Sequence, residues 1–405
     1  MPQLCFYLHL HQPNRLKDVT IFDVGKLSQN YFEDSEKLNK QVFQKVSQKS
    51  YIPMLSLIKV LLKRHEGFKC AFSISGVFLE QARAYEPKVI ALLEDLVKTG
   101  KVELIGETYY HSLASLYSES EFKVQVFRHT QLLQQLFQYT PQVFRNTELI
   151  YSNDIARQIE KLPFKGILTE AVSRYLGDRP KTLSYFSKTK CHIPLLLKHA
   201  ELSDDIAFRF SDKNWPMHPL SAEKYLEWVE IYPEDHTVNL FMDFETFGEH
   251  QWADTGIFKF WEAFVEKFLA HAWNKFVTPS ELVEQAEQEK ASNNGKVDDW
   301  RVYDVPEPIS WADVDRDVTA WRDNVLQQDT LKIIYDLEEE IIQRQDKKLL
   351  EDWRNLQTSD HFYYMCTKWS ADGDVHAYFS PYDSPYEAYR RYSIVLADLR
   401  ERVMD

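Results

Sequence analysis

The sequence predicts an α/β fold: a parallel-stranded barrel or near-barrel followed by a helical C-terminal unit. Three observations carry that prediction. Short apolar, β-rich runs recur along the first two thirds of the chain; helix-period stretches separate them; and after a polar stretch near residue 290 only the helical period continues. Strands alternating with helices are the signature of βα units around a parallel sheet.

The strand candidates, in order, are Leu4 to Leu10, Cys70 to Ile74, Val102 to Ile105, Gln142 to Phe144, Gly166 to Thr169, Ile206 to Phe210 and Val238 to Met242, with Phe276 to Thr278 a later one. Lys88 to Val97 and Val124 to Phe137 place apolar residues on one helical face between them. Seven strands and their helices fit a barrel-type unit over residues 1–286. Residues 287–309, rich in Lys, Asn, Ser, Gly and acid, are expected to be an exposed linker. Ala312 to Gln328, Thr330 to Arg344, Lys347 to Leu356 and Tyr386 to Met404 predict a helical domain over 310–405.

Composition narrows the function. The 405 residues carry a net charge of −14, with Lys and Arg scattered, which disfavours nucleic acid as a partner. No apolar run approaches the roughly 20 residues of a membrane span, and the opening residues read as a first strand, so a cytoplasmic protein is expected. Cys5, Cys70, Cys191 and Cys366 form no C-x-x-C pair and read as reduced thiols. The 11 glycines offer no phosphate-cradling loop. Nothing in the composition sets the oligomeric state.

Chemistry in a parallel barrel lies where strands end and βα loops begin. The first strand ends in His9-Leu10-His11-Gln12-Pro13, with two imidazoles at i and i+2 on one face. The third leads into Gly106-Glu107-Thr108-Tyr109-Tyr110-His111, and the fourth into Arg145-Asn146-Thr147-Glu148. The last gives Asp243-Phe244-Glu245-Thr246-Phe247-Gly248-Glu249-His250, acid crowded at the mouth of an apolar strand. Two carboxylates from separate strand ends are the equipment of glycoside hydrolysis. A rival reading takes His9, His11 and Asp243 as a two-histidine, one-carboxylate metal site of a hydrolase or deacetylase.

At these residues the chain resembles glycoside hydrolase family 57. Five blocks match in the family's order: His9 to Pro13, Gly106 to His111, the block around Glu148, Asp243 to Gly248, and Ser310-Trp311-Ala312-Asp313-Val314-Asp315-Arg316 through Trp321. The resemblance implies an incomplete (β/α)7 barrel followed by helices, acting on α-glucans without a cofactor or metal. It implies Glu148 as catalytic nucleophile and Asp243 as general acid/base, with His9, His11, Glu107, Glu245 and Trp311 lining the sugar subsites or supporting the carboxylates. Tyr109 and Trp252 are further candidates to stack on sugar faces. The block before Glu148 departs from the family form, having Arg-Asn-Thr where Trp and Pro often stand, and Arg322-Asp323-Asn324 stands where Gly often precedes Asn.

The function these residues imply is retaining hydrolysis of α-1,4-glucans, of the α-amylase type. A 4-α-glucanotransferase with the same double displacement is the near alternative. A metal-dependent hydrolase and a non-catalytic glucan-binding paralogue are the distant ones.

Overall fold

The computed structural model describes residues 3–27, 30–32, 38–312, 314–368 and 380–404. Asp313, in the fifth block, lies outside the described residues. The strands are β1 Gln3–Leu10, β2 Cys70–Ile74, β3 Val102–Ile105, β4 Val143–Arg145, β5 Gly166–Thr169, β6 Tyr185–Ser187, β7 Pro194–Leu197, β8 Thr237–Asp243, β9 Lys275–Phe276 and β10 Val302–Tyr303.

Seven of them run parallel in the order β8-β1-β2-β3-β4-β5-β7. β8, β1, β2 and β3 form one ladder, and β4, β5 and β7 another. A single bridge, Gly106 to Phe144, joins the ladders, with Gly106 N donating to Val143 O at 2.9 Å. Between β7 and β8 the closure is thinner. His199 N donates to Asn239 O, and Asn239 Nδ2 to Leu197 O, both at 2.9 Å. β9 lies parallel to the start of β1, β6 antiparallel to β7, and β10 parallel to β6.

Alternation along the strands sets both core and site. Cys5 and Tyr7 of β1, Ala71 of β2, Ile105, Val143, Leu168, Leu196 and Phe241 share one buried cluster inside the barrel. Leu4, Phe6, Leu8 and Leu10 of β1 pack outward in a second cluster with helices such as Ile52–Arg64, Gly76–Tyr85 and Ile257–Ala270. The helix Pro279–Ser292 presses Leu282 and Val283 into the inner cluster. Gly166 is required there, because a Cβ would stand 2.2 Å from Val283 Cγ2.

Two expectations need correction. Ile206 to Phe210 is not a strand: it ends the helix Ala200–Ala207, whose N-cap His199 accepts from Leu202 N. A short apolar run carries no period long enough to separate a buried strand from a helix. The strand of that unit is instead Pro194–Leu197, with Pro in the first position, where no ladder donor is lost. Ala312 to Gln328 is not one helix. Residues 310–312 and 314–318 form an irregular strap, followed by the helices Thr319–Arg322 and Val325–Asp336.

The stretch 287–309 carries the last turns of the helix Pro279–Ser292 and the strand β10. The helices beyond it share a core with the barrel. Trp321, Leu331, Trp353, Phe362 and Leu399 cluster with Phe144, Ile155, Ile167, Leu195 and Leu197.

Candidate active site

Continuing the inward alternation past each apolar layer yields the site. On β1, Cys5 and Tyr7 give way to His9 and then His11; on β8, Phe241 gives way to Asp243; after Val143 comes Arg145, and after Ile105, Glu107. The same walk reaches Ser73 on β2, Ser75 just after it, Glu170 after β5 and Lys198 after β7. The polar groups therefore converge on the end of the barrel where the strands terminate.

Glu148 sits in a strained turn. Its φ is 56° and that of Leu149 is 51°, both in the left-handed region, at a cost of about 1–3 kcal/mol each. Leu149 is fully buried in the inner barrel cluster, which holds the turn and points Glu148 the other way. His111, the partner of Glu148, is also left-handed, at φ 51°.

Both carboxylate oxygens of Glu148 are engaged. His111 Nε2 donates to Oε1 at 3.0 Å and Trp311 Nε1 to Oε2 at 2.7 Å, while Trp311 N donates to the Glu148 carbonyl at 3.2 Å. Burial alone would raise this carboxyl. The hydrogen bond and charge of His111, the charge of Arg145 and the Trp311 N–H together hold it below the usual value. His111 itself is pushed up to about 9: burial opposes its charge, but hydrogen bonds to Glu107 and Glu148 outweigh it.

Asp243 faces His9, Oδ1 to Nδ1 at 3.5 Å, and its side chain is 39% exposed against 21% for Glu148. Burial again opposes ionisation, and the His9 hydrogen bond with the charges of His250 and Arg145 beyond it keeps Asp243 below the ordinary carboxyl range. Glu245 is different. It is buried against Tyr51 and Gln12, and burial with the Asp243 charge raises it to about 8. Glu107 lies between His9 and His111, at 3.6 and 3.3 Å, and stays ionised well below its ordinary value because those contacts overcome burial.

Of the nine expected site residues, the structure joins His9, Glu107, Glu148, Asp243 and Trp311 by direct contacts, with His11 stacked 4.2 Å from His111. Glu245 stands behind Asp243. Tyr109 turns away: its hydroxyl donates to Glu80 at 2.6 Å, Arg128 lies over its ring, and Gly76 makes room for it. Trp252 is 58% exposed with Lys49 over its ring, and among the described residues no hydrogen bond or ring contact joins it to either carboxylate. Trp311 is also not an open platform, since Arg145 and Lys198 both lie over its ring, at 4.9 and 5.4 Å.

Four participants were not picked out from sequence. His111 sits in a quoted block, but nothing in its spacing shows that it bridges two carboxylates. Arg145 is a charged residue at the inward end of β4, a signal that was present. Lys198 follows β7, a strand that was misplaced. Asp360, on the helix Ser359–Tyr363, meets His11 Nε2 at 3.0 Å across a gap of 349 residues and carried no local signal.

The metal trio of His9, His11 and Asp243 that the rival reading takes is not among the groups of ligand atoms that converge in the described residues. Ligand-type atoms do converge in two other groups, His9 with Glu107 and His111, and His11 with His111 and Asp360, within 4.8 Å. The imidazoles in both groups are stacked, at 25° and 26° between planes. Imidazole lone pairs lie in the ring plane, so near-parallel stacked rings do not aim at one ion. The arrangement suits proton sharing instead.

The sequence profile of glycosyl hydrolase family 57 matches residues 5–297. A Methanocaldococcus jannaschii protein provisionally named an alpha-amylase is 39% identical over 404 residues, 98% of this chain and 83% of that one. Among solved structures, a branching enzyme of that family from Pyrococcus horikoshii superposes with a TM-score of 0.65 at 16% identity, over 90% of this chain and 85% of that one. The alpha-amylase AmyC from Thermotoga maritima gives 0.62 at 12%, over 100% and 94%. The 4-alpha-glucanotransferase from Thermococcus litoralis gives 0.63 at 16%, over 89% of this chain and only 56% of that one. At these identities the structures speak for the fold.

Proposed function

The chain belongs to glycosyl hydrolase family 57, and from that premise we propose that it cleaves α-1,4-glucans by a retaining double displacement with Glu148 as nucleophile and Asp243 as acid/base. The observation that carries the assignment is the contrast between the two carboxylates. Glu148 is ionised, hydrogen-bonded through both oxygens and set in a rigid turn. Asp243 is the more open to solvent, as a group must be that protonates a leaving sugar and then activates an incoming acceptor.

In the first step Glu148 attacks the anomeric carbon while Asp243 delivers a proton to the departing oxygen, and a glycosyl ester forms. In the second Asp243 takes the proton of water or of a sugar hydroxyl as it displaces the ester. His11 and Asp360 offer partners for sugar hydroxyls, buried Glu107 and Glu245 support the two carboxylates, and exposed Trp252 is assigned to an outer subsite.

Water as acceptor gives an α-amylase and sugar a 4-α-glucanotransferase. Incubation with maltoheptaose separates them: new reducing ends with shorter products mean hydrolysis, whereas longer and shorter products at constant reducing ends mean transfer. Glu148→Gln and Asp243→Asn are each expected to lower kcat by at least about 10²-fold. Activity surviving both removes the two-carboxylate mechanism. An inert wild type favours a glucan-binding paralogue, and activity restored only by added divalent metal favours the metal-hydrolase reading.

A further inference from the structure

His9 stands between Asp243 and a residue that the family resemblance does not assign, Arg145. The Nδ1 of His9 lies 3.5 Å from Asp243 Oδ1, and its Nε2 lies 3.4 Å from Arg145 Nη1. A guanidinium only donates and keeps its proton, so this contact calls for a bare Nε2, and it is the shorter of the two contacts at that nitrogen, Glu107 Oε2 standing 3.6 Å away. The ring proton of His9 then sits on Nδ1, facing Asp243.

Arg145 is fully buried, and its Nε and Nη2 have no hydrogen-bond partner among the described residues. On its other side it lies 4.9 Å over the ring of Trp311, whose Nε1 donates to Glu148. One cation thus touches the intermediary of each carboxylate, His9 for Asp243 and Trp311 for Glu148.

We propose that Arg145 is a positioning residue for the double displacement: it fixes the Nδ1-protonated tautomer of His9 that serves Asp243, and it is the shared cation between the two carboxylates. The proposal rests on the retaining reading above. When the glycosyl ester forms, the bond between the anomeric carbon and the leaving oxygen breaks and Glu148 loses its negative charge. Asp243, having given its proton to that oxygen, gains one. Deglycosylation reverses both changes. Between them Glu148 and Asp243 hold one negative charge throughout, and it moves past Arg145, which is held in place by folding and needs no reorganisation as the charge passes.

The charged and titratable groups facing Arg145 are Tyr7 and His9 on β1, Glu107 and His111 after β3, Glu148 after its own strand, Asp243 ending β8, and Lys198 across Trp311. The test is nitrogen-15 NMR of histidine-labelled protein near pH 7, with His9→Gln assigning the signal, alongside kinetics on maltoheptaose. The wild type should show His9 protonated at Nδ1 and bare at Nε2, and Arg145→Met should lose that preference. The same variant should drop kcat about 10²-fold with little change in KM, and the acid limb of its kcat/KM profile should move to higher pH as Glu148 loses its cation. Arg145→Lys, which keeps the charge and a donor, should restore the tautomer and leave the limb in place. A loss of packing alone would change neither. His9 protonated at Nε2 in the wild type, or a folded Arg145→Met variant with unchanged kcat, overturns the proposal. If Arg145→Met does not fold, the wild-type tautomer and the Lys variant still decide. Because the tautomer is read without turnover, failure of the retaining mechanism would show separately, as activity surviving in Glu148→Gln.

Discussion

Asp243 and Glu148 are both held ionised in the free site, each by hydrogen bonds and cations that overcome burial. A general acid must carry a proton, so glucan entry has to change the balance at Asp243. A bound sugar displaces water from the more exposed of the two carboxylates, and desolvation favours the neutral acid. The alkaline limb of kcat, set by Asp243 in the complex, should therefore lie at higher pH than the corresponding limb of kcat/KM, which reports the free enzyme. Coincident limbs in paired pH profiles would mean that Asp243 is not the group loaded on binding. The two carboxylates were legible in sequence because acid ending an apolar strand has few structural uses. Asp360 was not, because only tertiary folding brings it to His11.

The strap of residues 310–312 and 314–318 is the element that delivers Trp311 to Glu148. Arg316 fastens it: its guanidinium donates to the Trp311 carbonyl and lies 3.3 Å from Asp204 Oδ2 and 3.7 Å from the buried Glu170. Arg174 holds the same strap by its backbone, donating to the carbonyls of Asp315 and Arg316 at 2.6 and 3.1 Å. Releasing Arg316 should let Trp311 drift from Glu148 without removing any group proposed to meet substrate. Arg316→Ala is predicted to lower kcat roughly 10- to 100-fold while tryptophan fluorescence and thermal stability report a folded protein; unchanged kcat would assign the strap to another role. At this scale the sequence was half legible. Strands with alternating or long apolar runs were found within a residue or so, while Pro194–Leu197, opened by proline and only four residues long, lost to a helical segment richer in aromatic residues. The strap read as helix because its flanks share the helical period, although its backbone folds back on itself, Ser310 N donating to the Arg316 carbonyl at 3.3 Å, and Trp311 N donates to the Glu148 carbonyl.

Across the whole molecule, proton binding ties stability to pH in a definite direction. Glu245, raised to about 8, and His111, raised to about 9, hold protons in the fold that the unfolded chain releases earlier. Their contribution is complete below the unfolded values and is lost as pH rises through the folded ones. Glu245 loses its contribution between about pH 4.5 and 8 and His111 between about pH 6.5 and 9, so their combined loss of thermal stability should be steepest between about pH 6.5 and 8. Glu245→Gln should flatten part of that decline, and a Tm equally steep in the variant would contradict the shift.

The helices after residue 310 bear on stability more directly. Expected as a helical domain that contributes to the active-site cleft, they bury Trp321, Trp353 and Phe362 against residues of β4, β5 and β7 in a common cluster. Ile309 and Tyr151 also exchange backbone hydrogen bonds at 2.9 and 3.0 Å, tying the two parts beside the Glu148 turn. A chain ending at residue 309 would expose the apolar side of Phe144, Ile155 and Leu195, each large buried side chain costing about 1.5–3 kcal/mol when returned to water, against a total stability of only about 5–15 kcal/mol. The truncated chain is predicted to show no cooperative unfolding transition and no activity, and the full chain a single transition. A folded, soluble 1–309 fragment seen by circular dichroism and calorimetry would establish instead that the barrel stands alone and that the helices only complete its site.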